Sequence, residues 1–402
     1  MSKGTIIAGL DIGTATIKTL ICRKKPKKSL LEVLGQNKEI SSGVRKGIVI
    51  NVEEVSDIIK SSIKKAEELS REKVKSVLVD VGGAHIFFTN SHGLISVSRA
   101  DQKISQEDID RVIQAAQTFS LPSNKEILSV IPKEFIIDNE KGIKEPLGMK
   151  GVRLEVEVSI LGGFSPYLKN LTKVVLDSGI QIDDLVLTPL ASAQAVLTPR
   201  EKELGVLLLD IGAGTTGLAV FEEGELIYTT IFPIGSAHIT NDIAIGLKCD
   251  IDTAEEIKLE SGTLFFKGPD KKKKIGTVEG ETLIFSQKML SKIIEARVSE
   301  IFEIVTKELK KIARQGKLPA GVVLTGGGAK LPKIKELAKK ELKLHCRIGL
   351  PQGFSPSLED PELSAVCGLV LLGVGLEEEK NFSNLGRGLL SRIKKIFKIF
   401  LP

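Results

Sequence analysis

Residues 11–18 read Asp-Ile-Gly-Thr-Ala-Thr-Ile-Lys, and residues 210–217 repeat the pattern as Asp-Ile-Gly-Ala-Gly-Thr-Thr-Gly. Each stretch follows an apolar run, at 5–10 and at 205–209, of the kind that forms a strand buried on both faces. The pattern therefore predicts a strand, a tight turn and a second strand, and it occurs twice in the chain. An internal repeat of this kind indicates two related α/β lobes.

Both turns are suited to binding a polyphosphate. Glycine exposes backbone N–H groups and threonine adds hydroxyl donors. The candidate residues are Gly13, Thr14, Gly212, Gly214, Thr215 and Thr216. Lys18 would add a positive charge, while Asp11 and Asp210 would hold a hydrated Mg²⁺. A single turn of this type is more often structural, and a lone strand lysine is as often solvated, so it is the pair of turns that favours a phosphate site.

A third glycine-rich turn, Thr325-Gly326-Gly327-Gly328-Ala329, follows an apolar strand pattern and precedes a helical one. Its bare backbone would allow a nucleoside to approach closely. The GxxxxGK[ST] pattern of a P-loop does not occur in the sequence, so a Walker-type NTPase is not expected. A Rossmann dehydrogenase is not expected either. Glu255 and Lys258, three residues apart on a predicted helix, are candidates to bind a ribose, although the spacing fits an ordinary surface ion pair equally well.

The composition is that of a folded protein with two to three domains: 402 residues, of which 42% are hydrophobic and 27% charged. The net charge is +6, but five uncompensated cations lie close to the C-terminus, at Arg387, Arg392, Lys394, Lys395 and Lys398. The rest of the chain is nearly neutral. Because nucleic-acid binders usually spread positive charge over a face of the fold, this class is not expected.

The four cysteines, Cys22, Cys249, Cys346 and Cys367, form neither a CxxC pair nor a cluster of zinc spacing. They are interpreted as buried thiols of a reducing cytosol. No apolar run reaches the roughly 18 residues that a membrane span needs, and the first residues do not have the pattern of a signal peptide. A cytoplasmic location is therefore expected.

The order and spacing of the three turns resemble the actin/Hsp70/sugar-kinase ATPase superfamily, with phosphate turns at 11–18 and 210–217 and an adenosine turn at 325–329. Further stretches resemble the FtsA family, the bacterial cell-division homologues of actin. They are HITNDIAIGL (238–247), AEEIK (254–258), residues 131–158, IIEARVSEIFEIV (293–305) and the C-terminal tail. The resemblance covers nearly the whole chain. It implies ATP and Mg²⁺ as cofactors. It assigns Asp11 and Asp210 to the metal, and to ATP it assigns Gly13, Thr14, Lys18, Gly212, Gly214, Thr215, Lys258 and Gly326 to Gly328.

The resemblance also implies the architecture: a duplicated actin-like, ribonuclease H-like two-lobe ATPase fold with a small α+β insert. The expected divisions are subdomain 1A at 1–82, completed by 352–376; insert subdomain 1C at 83–163; subdomain 2A at 164–234 with 316–351; subdomain 2B at 235–315; a linker at 377–388; and a membrane-targeting amphipathic helix at 389–402.

Three departures from the superfamily pattern bear on catalysis. Thr188-Pro189 stands where Hsp70-like members have Glu-Pro, whose acid helps to orient the attacking water. Gln194 is a weak substitute for it. Gly217 replaces a common acidic residue, and Ser236 replaces a glycine. These departures predict ATP binding with slow turnover or none.

The tail at 389–402 predicts an amphipathic helix. Its apolar residues cover about 200° of arc; they are Leu389, Leu390, Ile393, Ile396, Phe397, Ile399, Phe400 and Leu401. Lys394, Lys395 and Lys398 fill the remaining arc, with Arg392 near the boundary. So short a helix is marginal in water but is stabilised at an anionic membrane. The alternative is a helix that docks on the protein's own surface. The polar face of the helix is entirely basic, and this favours the membrane.

The leading hypothesis is a membrane-tethering scaffold that binds ATP and polymerises at the cytoplasmic face of the cell membrane, at the division site. By resemblance, its partners are the C-terminal peptide of the tubulin-like protein FtsZ, further copies of the chain, and later division proteins that contact the insert. Lys292 and Arg297 are candidates to receive the acidic peptide. The alternatives are a small-molecule kinase, which would need a catalytic Asp facing a sugar pocket, and a pilus-assembly ATPase of the same superfamily.

Overall fold

The structure, a computed structural model, describes residues 4–26, 28–118, 121–276 and 282–383. The chain divides into two compact units, one of residues 1–84 with 171–374 and the other of residues 85–170 with those from 375 onward. Among the described helices, none combines the length and apolar character needed to cross a bilayer. The predicted tail helix at 389–402 lies outside the described residues.

The first lobe of the larger unit begins with the repeat at residues 11–18. Its elements are β1 (Thr5–Ile12), β2 (Thr16–Lys24), β3 (Leu31–Ile40), β4 (Val44–Arg45), β5 (Ile48–Val49), α1 (Val52–Ser70) and β6 (Ser76–Val81). The strands β1, β2 and β3 are antiparallel, and β6 runs parallel to β1. Helix α1 buries Val55, Ile59 and Ile63 on one face, at the four-residue spacing of a helix that packs on a sheet.

The smaller unit is an α+β insert. It contains β7 (Phe87–Ser96), α2 (Gln106–Gln117), β8 (Lys125–Ile137), β9 (Glu140–Ile143) and β10 (Arg153–Phe164). The strands form one sheet in the order β7-β10-β8-β9. Helix α2 begins at a capping box, in which Ser105 and Asp108 satisfy each other's backbone N–H groups. Its apolar face joins alternate residues of β10, such as Val156 and Val158, in a separate core.

After the insert the chain returns to the first lobe, through α3 (Ser165–Asp177), β11 (Gln181–Leu187), α4 (Thr188–Val196) and α5 (Pro199–Leu204). Strand β11 runs parallel to β6 in the first sheet. The boundary placed at residue 164 is therefore wrong for residues 181–187, which belong to the sheet of the first lobe. The strand pattern alone did not indicate its partner, since parallel pairing joins residues that are distant in sequence.

The second lobe repeats the design. It contains β12 (Val206–Ile211), β13 (Thr216–Glu222), β14 (Glu225–Phe232), α6 (Ser236–Leu247), α7 (Ile251–Ser261), β15 (Lys272–Gly276), β16 (Thr282–Ser286), α8 (Gln287–Lys311), β17 (Val322–Thr325), α9 (Ile334–Leu342) and β18 (Cys346–Ile348). The chain then returns to the first lobe, where β19 (Phe354–Ser355) pairs with β3 and α10 (Ser364–Ser383) packs on β1. Single 3₁₀ turns lie at Gly327–Lys330 and Pro361–Leu363. Residues 377–383, predicted as the start of a linker, are helical.

The two sheets have matching strand orders. The first sheet has the order β11-β6-β1-β2-β3-β19. The second, read in the corresponding direction, has the order β18-β17-β12-β13-β14. In each, an antiparallel hairpin of the first two strands is flanked by a parallel strand. The repeat seen at residues 11–18 and 210–217 is therefore a repeat of whole sheets. Between the sheets runs α4, which contacts strands of both.

Candidate functional site

The two Asp-Ile-Gly turns have the same local geometry. The N–H of Gly13 donates to the carbonyl of Thr16 at 3.0 Å, and the N–H of Gly212 donates to that of Thr215 at 2.9 Å. In register, Asp11 pairs with Lys18 in the first hairpin. Asp210 takes the equivalent place in the second hairpin. The sequence repeat thus produces two strand-turn-strand units with the same register and the same turn hydrogen bond.

These two turns lie against each other. A Cβ added to Gly214 would fall 2.5 Å from the hydroxyl oxygen of Thr14, so only glycine fits at this point. The same hydroxyl accepts a hydrogen bond of 3.0 Å from the N–H of Gly47. The first turn is thus anchored on its own lobe while it touches the turn of the other lobe. Asp11 and Asp210 consequently border the same space.

The third turn reaches the same place. Gly326 has a φ of +79°, and a Cβ there would fall 2.3 Å from Oδ1 of Asp210. A Cβ on Gly328 would meet Ile211 at 2.4 Å. Gly327 differs, since its φ is not positive and the nearest atom to an added Cβ, on Glu362, is 3.8 Å away. Packing therefore requires glycine at 326 and 328, while the bare backbone at 327 leaves room for a ligand.

A buried ion pair joins the first two strands. Nζ of Lys18 lies 2.8 Å from Oδ2 of Asp11, and both side chains are about 7% exposed. Burial by itself would lower the pKa of Lys18, but the adjacent Asp11 carboxylate outweighs it and raises that pKa. Lys18 is therefore a firmly charged cation at the base of the turn, as a phosphate-binding lysine must be.

Asp210 is held by the helix between the sheets. Its carboxylate accepts a hydrogen bond from the Ser192 hydroxyl on α4, and burial together with the nearby Asp11 raises the pKa of Asp210 to about 6. Within the described part of the chain, no three His, Cys, Asp or Glu side chains gather as a complete metal site. Two aspartates still fit Mg²⁺, because that ion takes one or two protein carboxylates and completes its shell with water and phosphate oxygens.

Asp80 is a third buried carboxylate at this site, and sequence reasoning missed it. Its Oδ1 accepts the N–H of Ile12 at 2.8 Å, and its Oδ2 accepts the hydroxyl of Thr188 at 2.6 Å. Burial and the charge of Asp11 raise the pKa of Asp80 to about 7. Position 188 has no carboxylic acid, but the Asp80 carboxylate on β6 is hydrogen-bonded to the Thr188 side chain. The sequence did contain one indication of this residue, since Asp80 lies near the end of an apolar strand pattern, as Asp11 and Asp210 do.

Glu255 and Lys258 do come together, and they adjoin the second turn. Nζ of Lys258 lies 2.6 Å from the Glu255 carboxylate and donates to the hydroxyl of Thr240 at 2.8 Å. It also reaches the carbonyl of Ser236 at 3.5 Å. The N–H of Ser236, the first residue of α6, donates to the carbonyl of Gly212 at 2.8 Å. The N-terminus of α6 therefore abuts the turn, where its partial positive charge favours an anion.

Thr216 and Gly217 have structural roles in the second hairpin. The Thr216 hydroxyl donates to the carbonyl of Ile234 at 2.8 Å, and the residue is fully buried, so this hydroxyl holds the turn together. A Cβ on Gly217 would press on Pro189 at 3.1 Å, so glycine here lets α4 pack on β13. Residues 212–217 also have GxGxxG spacing, but they join two antiparallel strands instead of a strand and a helix, so they are not a Rossmann fingerprint.

Glu362 is a second residue that sequence reasoning missed. Its carboxylate lies 2.8 Å from Nζ of Lys38 on β3 and 3.3 Å from Nζ of Lys330, just after the third turn. Burial would raise the pKa of Glu362, but Lys38, Lys18 and Lys330 together lower it. The residue therefore links the glycine turn of one lobe to a strand of the other.

The two candidate partner residues on α8 differ from each other. Arg297 makes two hydrogen bonds to Asp242, at 2.6 and 2.8 Å, and also bonds Glu300. Lys292 is exposed, with no ion-pair partner among the described residues. Exposed Ile245 and Met289 lie on α6 and α8, which approach so closely that a Cβ on Gly246 would meet Ile293 at 2.6 Å. The predicted membrane residues, 389–400, lie outside the described residues.

Comparison with known proteins identifies the family. A model described as cell division protein FtsA matches residues 207–368, and a model described as the SHS2 domain inserted in FtsA matches residues 83–161. FtsA of Borreliella burgdorferi is 38% identical over 413 residues, covering 99% of this chain and 97% of the relative. FtsA of Pseudomonas aeruginosa is 36% identical over 380 residues, covering 93% and 90%. This chain belongs to the FtsA family.

The predicted fold and the predicted role as an actin-like cell-division protein are confirmed by this FtsA membership. Solved structures agree on the fold. A chain of the PilM–PilN type IV pilus biogenesis complex covers 92% of this chain and 98% of its own length, with a TM-score of 0.67 and 17% identity. MreB 5 of Spiroplasma citri bound to AMPPNP covers 96% and 100%, with a TM-score of 0.57 and 16% identity. At these identities the likeness concerns the fold alone.

Proposed function

We propose that this FtsA-family chain binds ATP with Mg²⁺ where its three glycine turns meet. The observation that carries the proposal is the contact of Gly214 with Thr14 together with that of Gly326 with Asp210. Turns from both lobes thereby border one space. The nucleotide-bound state of the MreB 5 structure supports the proposal, since that protein has the same fold.

Each group of residues has a defined role in this proposal. The N–H groups and hydroxyls of the two phosphate turns donate to phosphate oxygens, with Thr14 and Thr215 as the hydroxyl donors. Lys18 adds a point charge, and Asp11 and Asp210 hold the hydrated Mg²⁺, whose charge neutralises the phosphates. Glu255 and Lys258 bind the ribose. The backbone at 326–328 lies against the nucleoside.

Turnover is proposed to be slow or absent. Thr188 cannot act as the acid that orients water in related ATPases, and its hydroxyl proton is already committed to Asp80 at 2.6 Å. ATP binding, and not its hydrolysis, then controls the arrangement of the lobes. ATP favours a closed arrangement to the extent that it binds the closed arrangement more tightly than the open one.

The chain is further proposed to polymerise at the cytoplasmic membrane and to tether FtsZ there, recruiting later division proteins through the insert. Its tail at 389–402 provides the anchor. One short amphipathic helix binds reversibly, but a row of them in a filament binds by avidity. A small-molecule kinase is disfavoured by the family membership.

The FtsZ peptide is proposed to bind along α8, with Lys292 receiving its acidic end. Exposed Ile245 and Met289 provide apolar contacts nearby. Arg297 takes a secondary part, because an incoming carboxylate has to compete with Asp242 and Glu300.

Two measurements test these proposals separately. Titration with ATP and Mg²⁺, followed by calorimetry, tests the nucleotide site; no heat of binding would refute it. Flotation with anionic vesicles tests the anchor, comparing the full chain with a chain that ends at Gly386. We expect the shortened chain to remain in the soluble fraction, and equal flotation of the two would refute the anchor.

A further inference from the structure

The β2–β3 turn contains a dense group of cations. Residues 23–28 read Arg-Lys-Lys-Pro-Lys-Lys. Lys24, Lys25 and Lys28 are described by the structure, and Leu30 at the end of the turn is 49% exposed. These four residues are called the basic turn below. None of them belongs to the candidate nucleotide site or to the candidate peptide site.

The basic turn lies at the end of the first sheet opposite to the phosphate turn. In the hairpin of β1 and β2, Thr5 pairs with Lys24, while Ile12 pairs with Ile17 at the other end. A strand of eight residues separates the two ends by roughly 25 Å. The basic turn is therefore remote from the candidate nucleotide site.

Helix α10 carries the chain toward this same end. A Cβ added to Gly9 would lie 3.0 Å from the carbonyl of Val366, and one added to Gly373 would lie 2.5 Å from Ile7. As the helix advances from 366 to 373, its contacts on β1 move back from residue 9 to residue 7. The helix thus runs antiparallel to β1 and heads for the end where Thr5 meets Lys24. The tail at 389–402 follows that helix in sequence.

Part of the positive charge is left uncompensated. Arg23 is paired with Glu72 at 2.7 Å, and Lys25 with Glu32 at 2.8 Å. Lys24 donates to the carbonyl of Lys28 at 2.9 Å, a contact that leaves the charge intact. Neither Lys24 nor Lys28 has a carboxylate partner among the described residues.

We infer that the basic turn is a second membrane contact, which binds anionic lipid headgroups in addition to the tail. This inference rests on the proposed anchoring function. Cations near an anionic surface each add up to about 1 kcal/mol, and the exposed side chain of Leu30, just after Lys28, suits the interface. A cavity of about 380 Å³ lined by Lys25, Lys28, Ser29, Leu30, Glu32 and Ser355 gives space for a headgroup.

The test compares two full-length variants of equal charge. Lys24→Gln/Lys28→Gln removes two charges from the basic turn. Lys272→Gln/Lys274→Gln removes two exposed charges from β15 in the second lobe. Each is mixed with vesicles of phosphatidylcholine with 30% phosphatidylglycerol, roughly a leaflet of moderate negative charge, and the partition coefficient is measured by flotation. Circular dichroism checks that both variants fold.

We expect the Lys24/Lys28 variant to partition about tenfold more weakly than the β15 control, in low salt, with the difference shrinking as ionic strength rises. Equal partitioning of the two variants would overturn the inference. The chain ending at Gly386 tests the tail alone. If that chain fails to float while the two variants partition equally, the tail is still the membrane anchor but the basic turn is not a membrane contact. Pure phosphatidylcholine vesicles have no anionic headgroup. If the Lys24/Lys28 variant bound these vesicles more weakly than the control by the same factor, the inference would also be refuted.

Discussion

Oγ1 of Thr188 donates a hydrogen bond of 2.6 Å to Oδ2 of Asp80, across 108 residues of sequence. The other oxygen of the same carboxylate holds the N–H of Ile12, just before the first phosphate turn. One buried side chain therefore ties that turn to the N-terminus of α4. Four residues along α4, Ser192 bonds Asp210 of the other sheet. Helix α4 is thus fastened to a cleft carboxylate in each lobe.

The raised pKa of Asp80 predicts a pH dependence of stability. Its folded pKa of about 7 lies above the ordinary value of 3.8, so the folded state binds a proton more tightly than the unfolded chain. The resulting stability is fully present below about pH 4 and is lost as the pH rises through about 7, at no more than about 1.4 kcal/mol per pH unit for one group. Without nucleotide or Mg²⁺, we expect Asp80→Asn to reduce the loss of melting temperature between pH 5 and pH 8.

Asp57→Asn, on the exposed face of α1, is the control for this series. It should leave the pH dependence as it is in the unsubstituted chain. Asp210, whose pKa of about 6 acts in the same direction, is retained in both variants, so some dependence persists. Identical pH profiles for the Asp80 and Asp57 variants would show that the Asp80 carboxyl is not the group responsible.

Variants of the Lys18–Asp11 pair distinguish a role in stability from a role in ATP binding. Lys18→Met leaves a buried carboxylate without its partner, which costs about 3–5 kcal/mol in the free energy of unfolding. Adding Asp11→Asn removes that charge, so the double variant should regain most of the loss in urea unfolding. ATP affinity should stay low in both, because both lack the Lys18 cation and the double variant also lacks the Asp11 metal ligand. A double variant that is stable and binds ATP as well as the unsubstituted chain would show that the pair is only structural.

The sequence predicted what is local. Both phosphate turns, the glycine turn at 325–329 and the helices around them were readable because each depends on residues that are close in the chain. The repeat at 11–18 and 210–217 then indicated two lobes. The three turns that the resemblance assigns to ATP do meet in space.

What the sequence did not predict depends on pairing between distant residues. Asp80 looked like an ordinary strand residue until β6 was placed beside β1, which brought its carboxylate to Ile12. Glu362 lies on a short 3₁₀ turn whose neighbours come from both lobes. Arg297 looked available on its helix, but Asp242 on α6 holds it. None of these partners lies within one helical turn or one hairpin of its residue.

Two glycines of positive φ provide a matched test of the third turn. Gly326 has a φ of +79° with no room for a Cβ, whereas Gly316 has a φ of +68° with no atom of the described residues within 4 Å of an added Cβ. We expect Gly316→Ala to lose about 1 kcal/mol of stability and to keep its ATP affinity. Gly326→Ala should lose more stability and bind ATP at least about tenfold more weakly, since its methyl group displaces Asp210. Calorimetric titration and urea unfolding measure both quantities, and equal ATP affinities would exclude the turn from the site.

The peptide site on α8 is tested by two lysines of one helix. Lys292 and Lys307 are both exposed, and their separation of fifteen positions places them roughly 22 Å apart along the helix axis. Lys292→Glu should weaken binding of an FtsZ C-terminal peptide about fivefold or more through repulsion of its acidic end, with Lys307→Glu as the matched charge control. Arg297→Ala should instead lower the melting temperature, because Asp242 loses both of its hydrogen bonds to the guanidinium. Fluorescence anisotropy of a labelled peptide gives the affinities. Equal weakening by the two lysine variants would mean that the peptide responds to net charge and does not bind at Lys292.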